Sequence, residues 1–351
     1  MSSQIYDISK TWLWNLQNAP AATTPSTDTN LGKTDWNWCG IKTSSPLGMT
    51  AGPLLNSNWL LHYAALGFDI LVYKTVRSIS RDCYDLPNLV PVETCPLTNP
   101  GATVPTVSTW KDNWAVSFGM PSVSADVWRR DVEYARQQLP AGKVLIVSVV
   151  GTQDPSIIDS HESLAQLADD FAQCAKWAME SGAHGVEANF SCPNVSTADG
   201  QLYQQPATAA TVAKTIRRAI GDSPLVLKIG RVLTMQECES LVRHVGPFVS
   251  GFAMTNSIAA TVRGADGSLM FDGQSRGICG DAIRDASVSQ VAMFTEQIAK
   301  QKMAIDLIGV GGISSADHVR QYLNAGATSV GIATAAMIDP TLGHCIRSEW
   351  A

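Results

Sequence analysis

No Cys-x-x-Cys pair and no zinc-like spacing connects the eight cysteines of this chain, Cys39, Cys83, Cys95, Cys174, Cys192, Cys238, Cys279 and Cys345. Scatter of that kind over 351 residues argues against a disulfide framework and against an iron–sulfur cluster. A reducing cytoplasm is the expected compartment, with no bound metal. No apolar run approaches the roughly 18 residues of a membrane span. Residues 1–20 also lack the charged segment and apolar run of a signal peptide. Basic charge is scarce: a net charge of −6 leaves no footprint for nucleic acid and no polybasic membrane anchor. A soluble protein is expected. The composition does supply a core, since 45% of residues are hydrophobic and only 16% charged, which suits two average domains or one large α/β barrel.

Residues 1–45 read as an irregular polar extension, with a solvated loop around Thr23–Asn30 and four tryptophans, Trp12, Trp14, Trp36 and Trp38. Their expected role is to clamp the extension over one end of the main domain; a partner-binding patch is the alternative. Over 46–351 the pattern alternates. Short apolar runs at 47–51, 70–73, 144–149, 185–188, 225–229, 249–254, 305–310 and 329–333 read as parallel strands buried on both faces. Amphipathic stretches at 58–66, 163–181, 207–219, 235–244, 287–302 and 316–325 read as helices between them. The fold class is therefore α/β, a (β/α)8 TIM barrel. A doubly wound open sheet competes less well, because no Gly-x-Gly-x-x-Gly turn follows the first strand. Three connections, 75–125, 190–206 and 256–286, exceed what a barrel needs and read as lids or binding loops. Each leaves a strand at its C-terminal end, the face where barrel active sites sit.

Chemistry gathers at those strand ends. The fourth strand runs into Asn189-Phe190-Ser191-Cys192-Pro193-Asn194. Two carboxamides, a hydroxyl and a thiol there can hold a planar polar substrate and set one acid/base group against it, while Pro193 stiffens the turn. A small buried Cys in an ordinary loop is the bland alternative. Lys74 and Lys228 end otherwise apolar strands, where an unpaired ammonium is costly. An anionic partner such as a reduced flavin or its phosphate offsets that cost, and a nearby carboxylate such as Glu187 is the alternative. After the seventh strand, Gly311-Gly312 alone could be a tight turn. With Thr334 beside the eighth strand they favour a phosphate pocket, where glycine backbone N–H groups approach the oxygens.

These segments resemble those of FMN-dependent dihydroorotate dehydrogenases, especially the cytosolic class 1, and of the related FMN domain of dihydropyrimidine dehydrogenase. The resemblance covers about residues 40–340. Asn189 to Asn194 is similar to the family's Asn-Leu-Ser-Cys-Pro-Asn loop, and Thr255-Asn256-Ser257 to its second Asn-Ser/Thr site. Gly277 to Arg284 is similar to its Gly-Ile/Val-x-Gly-x-Ala-Ile segment, and Gly309 to Ile313 to its Gly-x-Gly-Gly-Ile turn. The resemblance implies FMN as cofactor and Cys192 as catalytic base, taking a proton from substrate C5 as hydride leaves C6 for flavin N5. It implies that Asn189, Asn194, Asn256 and Ser257 bind a pyrimidine-like substrate. Lys74 and Lys228 would contact the flavin, Ala51, Gly52 and Thr75 would line it, and Gly280, Gly311, Gly312, Ala333 and Thr334 would hold its ribityl phosphate. A homodimer and pyrimidine biosynthesis are implied as well. No NAD fingerprint is present, so the electron acceptor is expected from outside: fumarate, a quinone, oxygen or a partner protein.

The chain departs from the family in two segments. Val116-Ser117-Phe118-Gly119-Met120-Pro121-Ser122 stands where Asn-Ser-x-Gly-x-Pro-Asn is usual, and Met49-Thr50-Ala51-Gly52 where Asn-Ala-Ser/Ala-Gly is usual. Losing the carboxamide at Val116 should cost about 1–3 kcal/mol of substrate binding. The expected function is oxidation of dihydroorotate to orotate. The alternatives are the same flavin chemistry on another dihydropyrimidine or enone-like substrate, and a non-catalytic flavin- or phosphate-binding barrel.

Overall fold

The eight apolar runs close into a parallel barrel in a computed structural model that describes residues 6–21, 36–109, 112–154, 156–157, 159–191 and 201–349. The barrel strands are Leu47–Met49, Ile70–Val76, Val144–Val149, Gly185–Asn189, Leu225–Lys228, Gly251–Met254, Asp306–Val310 and Ser329–Ile332, each beside its sequence neighbour, the eighth closing on the first. Alternation decides which face each side chain serves. Ile70, Val72, Ile146, Val226 and Ile308 fill the interior. Leu71, Tyr73, Leu145, Val147 and Leu227 face the surrounding helices.

The six expected helices are present, as Ser57–Ala65, Ser160–Glu180, Pro206–Ile220, Met235–Val245, Arg284–Lys300 and Ala316–Asn324. Their starts follow their caps. Ser160–Glu180 begins ahead of its expected bound because Asp159 accepts from the backbone N–H groups of His161 and Glu162, both at 2.9 Å. A capping box between Thr234 and Glu237 starts Met235–Val245. A further helix, Ala125–Gln138, is outside the expectation: its buried face is only Trp128, Val132 and Ala135, a narrow stripe on a polar segment.

Two of the long connections are corrected by the structure. Segments of 75–125 and 256–286 build a five-stranded sheet in the order Leu89–Pro91, Asn113–Val116, Arg276–Gly280, Ile258–Arg263, Ala102–Pro105. It has its own core of Val90, Val104, Ala115, Val262 and Ile278. Where lids or binding loops were expected, these segments form a sheet with its own core, and Trp114, Val116, Cys279 and Gly280 of it line the cavity at the barrel mouth.

The tryptophans also divide differently from the expectation of a clamp at one end. Trp36–Trp38 pairs with Ile41–Thr43 across a two-residue turn, with φ of +47° at Cys39 and +90° at Gly40. Trp38 enters the barrel interior from the N-terminal end of the strands, and the Cys39 backbone N–H donates to Asp306 at 2.6 Å. Trp12, in the helix Trp12–Gln17, is buried at the opposite mouth, while Trp14 is exposed.

At the N-terminal end of the barrel Asp69 is 1% exposed and gathers three partners. It pairs with Lys143 at 2.8 Å and Arg347 at 3.1 Å, and accepts from the Ser45 hydroxyl at 2.6 Å. Burial holds the Lys143 ammonium below its usual range, an effect Asp69 opposes. Asp69→Ala would strand two buried cations. It is expected to cost about 3–5 kcal/mol of stability, read from urea unfolding; a loss below about 1 kcal/mol would mean that water reaches the site.

Candidate active site

A cavity of about 210 Å³ opens at the C-terminal mouth, between the strand ends and the added sheet. Why the predicted residues meet there follows from the strands. In the second barrel strand the register slips between Tyr73 and Val76, so the consecutive side chains of Lys74 and Thr75 both line the cavity, inside the strand rather than after it. Asn189 closes the fourth strand and is in register with Lys228, the last residue of the fifth. Ala51 and Gly52 follow the first strand, Asn256 and Ser257 the sixth, Gly311 and Gly312 the seventh, and Ala333 and Thr334 the eighth; all line the cavity. Gly280 comes from the added sheet. Every described residue of the expected site therefore lines this one cavity. Cys192 and Asn194 lie outside the described residues.

The two carboxamides do more than face the cavity. Asn189 accepts from the backbone N–H of Ser191 at 3.1 Å, and Asn256 donates to the Ser191 carbonyl at 2.6 Å. Both backbone groups of the residue before Cys192 are thereby tied to the ends of two different strands. Asn256→Ala releases one tie. Because displacing a reacting group by about 1 Å can cost roughly a hundredfold, the substrate-reduction rate of this variant is expected to fall about ten- to a hundredfold. Single-turnover kinetics would show it, and an unchanged rate would mean that the tie is dispensable.

Lys228 is 7% exposed, and among the described residues it has no ion pair or hydrogen bond. The alternative of a pairing with Glu187 is not met, since Glu187 accepts from Ser148 at 2.8 Å instead. A buried ammonium reaching a cavity calls for an anionic or carbonyl-bearing ligand. Elsewhere in the lining, Gly311 has φ +126° and Gly312 φ +65°, and a Cβ on Gly312 would stand 2.7 Å from Arg284 Cβ and 3.0 Å from the Gly280 carbonyl. Only glycine leaves the backbone open there. A planar, partly anionic cofactor with a phosphate tail fits this donor set.

Several wall residues lie beyond the sequence expectation. Cys279 receives a hydrogen bond from the Thr334 hydroxyl at 3.4 Å and donates to the Trp114 carbonyl at 3.5 Å. Burial pushes its thiol up, opposed by the Thr334 bond and by Lys228. It lies inside the Gly277–Arg284 segment, so position along that motif is the signal that could have found it. Tyr6 and Trp12 cover another part of the cavity. Val116 does line it, beside Phe118 and Met120, whereas Ser122 is turned away: its hydroxyl donates to the Val123 carbonyl and accepts from the Arg77 N–H. Thr50 also faces the cavity and packs where a Cβ on Gly331 would stand 2.7 Å from its methyl.

No helix among the described residues is long and apolar enough to cross a membrane, and no group of three or more metal-ligating side chains is found among them.

Comparisons with known proteins point to one family. The family model for dihydroorotate dehydrogenase matches residues 34–349. A dihydroorotate dehydrogenase of Dictyostelium discoideum is 32% identical over 97% of this chain and 95% of its own length. The catalytic subunit of a dihydroorotate dehydrogenase B (NAD(+)) of Geotalea daltonii is 26% identical, over 66% of this chain and 69% of its own. The crystal structure of an Eimeria tenella DHODH in complex with ferulenol superposes with a TM-score of 0.73 at 16% identity, covering 96% of this chain and 88% of that one.

Proposed function

The chain belongs to the dihydroorotate dehydrogenase family; on that premise it is an oxidoreductase of a CH–CH bond, converting dihydroorotate to orotate, and we propose that FMN in the barrel-mouth cavity is its cofactor and Cys192 its base. The observation that carries the proposal is the convergence of Lys74, Lys228, Asn189, Asn256, Gly311 and Thr334, from in or just after six different barrel strands, on one cavity. When bound, FMN supplies the hydride acceptor. The chain's own residues do the rest. Lys228 and Lys74 offer positive charge to the ring, Thr334 and the Gly280, Gly311 and Gly312 backbones hold the phosphate, and Asn189, Asn194, Asn256 and Ser257 orient the substrate. Cys192 removes the C5 proton, its thiolate favoured by neighbouring lysine charge. An external acceptor (fumarate, a quinone, oxygen or a partner protein) and a homodimer complete the proposal. Heat release of the bound cofactor, followed by chromatography, should give FMN; release of no flavin from protein purified with excess FMN would overturn it.

Val116 favours a second reading, in which the same chemistry serves another dihydropyrimidine. Restoring the carboxamide decides between them. If dihydroorotate is the substrate, Val116→Asn should lower its KM about five- to tenfold, the worth of one buried hydrogen bond. A raised KM for dihydroorotate, with turnover of a different dihydropyrimidine by the parent protein, would favour the second reading.

A further inference from the structure

Behind the cavity wall, three buried polar side chains form a chain that the reaction above leaves unused. Ser148 on the third barrel strand and Glu187 on the fourth are register partners, and both face the interior. Ser148 Oγ donates to Glu187 Oε1 at 2.8 Å, and Thr75 Oγ1 lies 2.9 Å from Ser148 Oγ. Ser148 is fully buried, Thr75 is 3% exposed and Glu187 4%. Of the three, only Thr75 lines the cavity.

Proton counting orients the chain. A hydroxyl carries one proton. Ser148 gives its proton to Glu187, so Thr75 must give its own to Ser148. Thr75 is left with lone pairs only on its cavity side. The two lysines of the lining, Lys74 and Lys228, are donors only. Thr75 is therefore an obligate acceptor that shares the cavity lining with two cationic donors. The pyrimidine end of an oxidised isoalloxazine is the complement, two carbonyls flanking a single N–H.

We propose that Glu187, acting through Ser148, fixes Thr75 as the hydrogen-bond acceptor for the N3–H of the bound flavin. Glu187 and Ser148 are then positioning residues, and the lysines serve the carbonyls. The inference rests on the flavin reading above. It also explains why a carboxylate is kept under the wall without an ion pair: its role is to take a proton's direction, not to neutralise Lys228.

The test is a titration of apoprotein with FMN and with N3-methyl-FMN, followed by flavin fluorescence. Thr75→Val should weaken FMN about five- to tenfold, the usual worth of one such bond, and should leave N3-methyl-FMN unchanged. Thr75→Ser should restore FMN affinity. Glu187→Gln can turn its amide N–H toward Ser148 and reverse the chain; it should weaken FMN in the parent background and add nothing on top of Thr75→Val. Equal losses for both flavins, or additive losses in the double variant, would overturn the relay. Should Glu187→Gln not fold, the Thr75→Val and Thr75→Ser pair decides alone. A parent protein that binds neither flavin overturns the flavin reading itself, and the relay with it.

Discussion

Cys192→Ala is expected to slow reduction of the bound flavin by dihydroorotate about 10²- to 10⁴-fold, the usual contribution of a positioned acid/base group, while FMN stays bound. Asn189 and Asn256, which line the cavity, tie both backbone groups of Ser191, the residue before Cys192. A thiol with an ordinary pKa of ~8.5 is a weak base at neutral pH, and a nearby cation lowers that value. Cys192→Ser should be slow at neutral pH with its rate profile displaced upward, because a hydroxyl ionises far less readily. Anaerobic stopped-flow at the flavin absorption band reads both variants. An unimpaired rate in Cys192→Ala would remove this residue from the mechanism.

Gly280→Ala is expected to destroy cofactor retention. The residue has φ +108°, a region that side chains avoid, and its new Cβ would run into the backbone carbonyl of Asp112. That same carbonyl accepts from the Asp281 N–H at 3.0 Å, so it cannot move aside without breaking the turn. Strain and overpacking of this kind each cost about 1–3 kcal/mol, together roughly 30- to 10⁴-fold in affinity if the cost falls on the bound form. Thermal melts with and without FMN distinguish where it falls. The expected outcome is a parent protein whose melting temperature FMN raises and a variant in which it no longer does. A variant that keeps the full FMN shift would mean that the Gly280 segment does not hold the cofactor.

The barrel was legible because a strand buried on both faces must be apolar throughout, and such runs stand out at 144–149 or 225–229 against the polar helices around them. The candidate site was legible for the same reason: Lys74, Asn189 and Lys228 are polar residues placed where the pattern calls for apolar ones. The added sheet was not legible because three of its five strands, Leu89–Pro91, Ala102–Pro105 and Asn113–Val116, run only three or four residues, and two of these end in proline, Pro91 and Pro105. Strands that short carry too little alternation to be told from loop, and their partners come from segments far apart in the chain, as in the pairing of Asn113–Val116 with Arg276–Gly280. The burial of Trp38 inside the barrel and of Trp12 at its mouth was hidden likewise, since a tryptophan's destination depends on tertiary contacts and not on its neighbours. The relay through Thr75, Ser148 and Glu187 needed the register slip at Tyr73–Val76, which no local pattern announces.

The most direct test of the central claim is the anaerobic visible spectrum of the purified protein before and after dihydroorotate is added. The account predicts a flavin spectrum that bleaches on addition. A flavin spectrum that persists with dihydroorotate, yet bleaches with dithionite, would contradict the assigned substrate, and a protein that shows no flavin even after incubation with FMN would contradict the account as a whole.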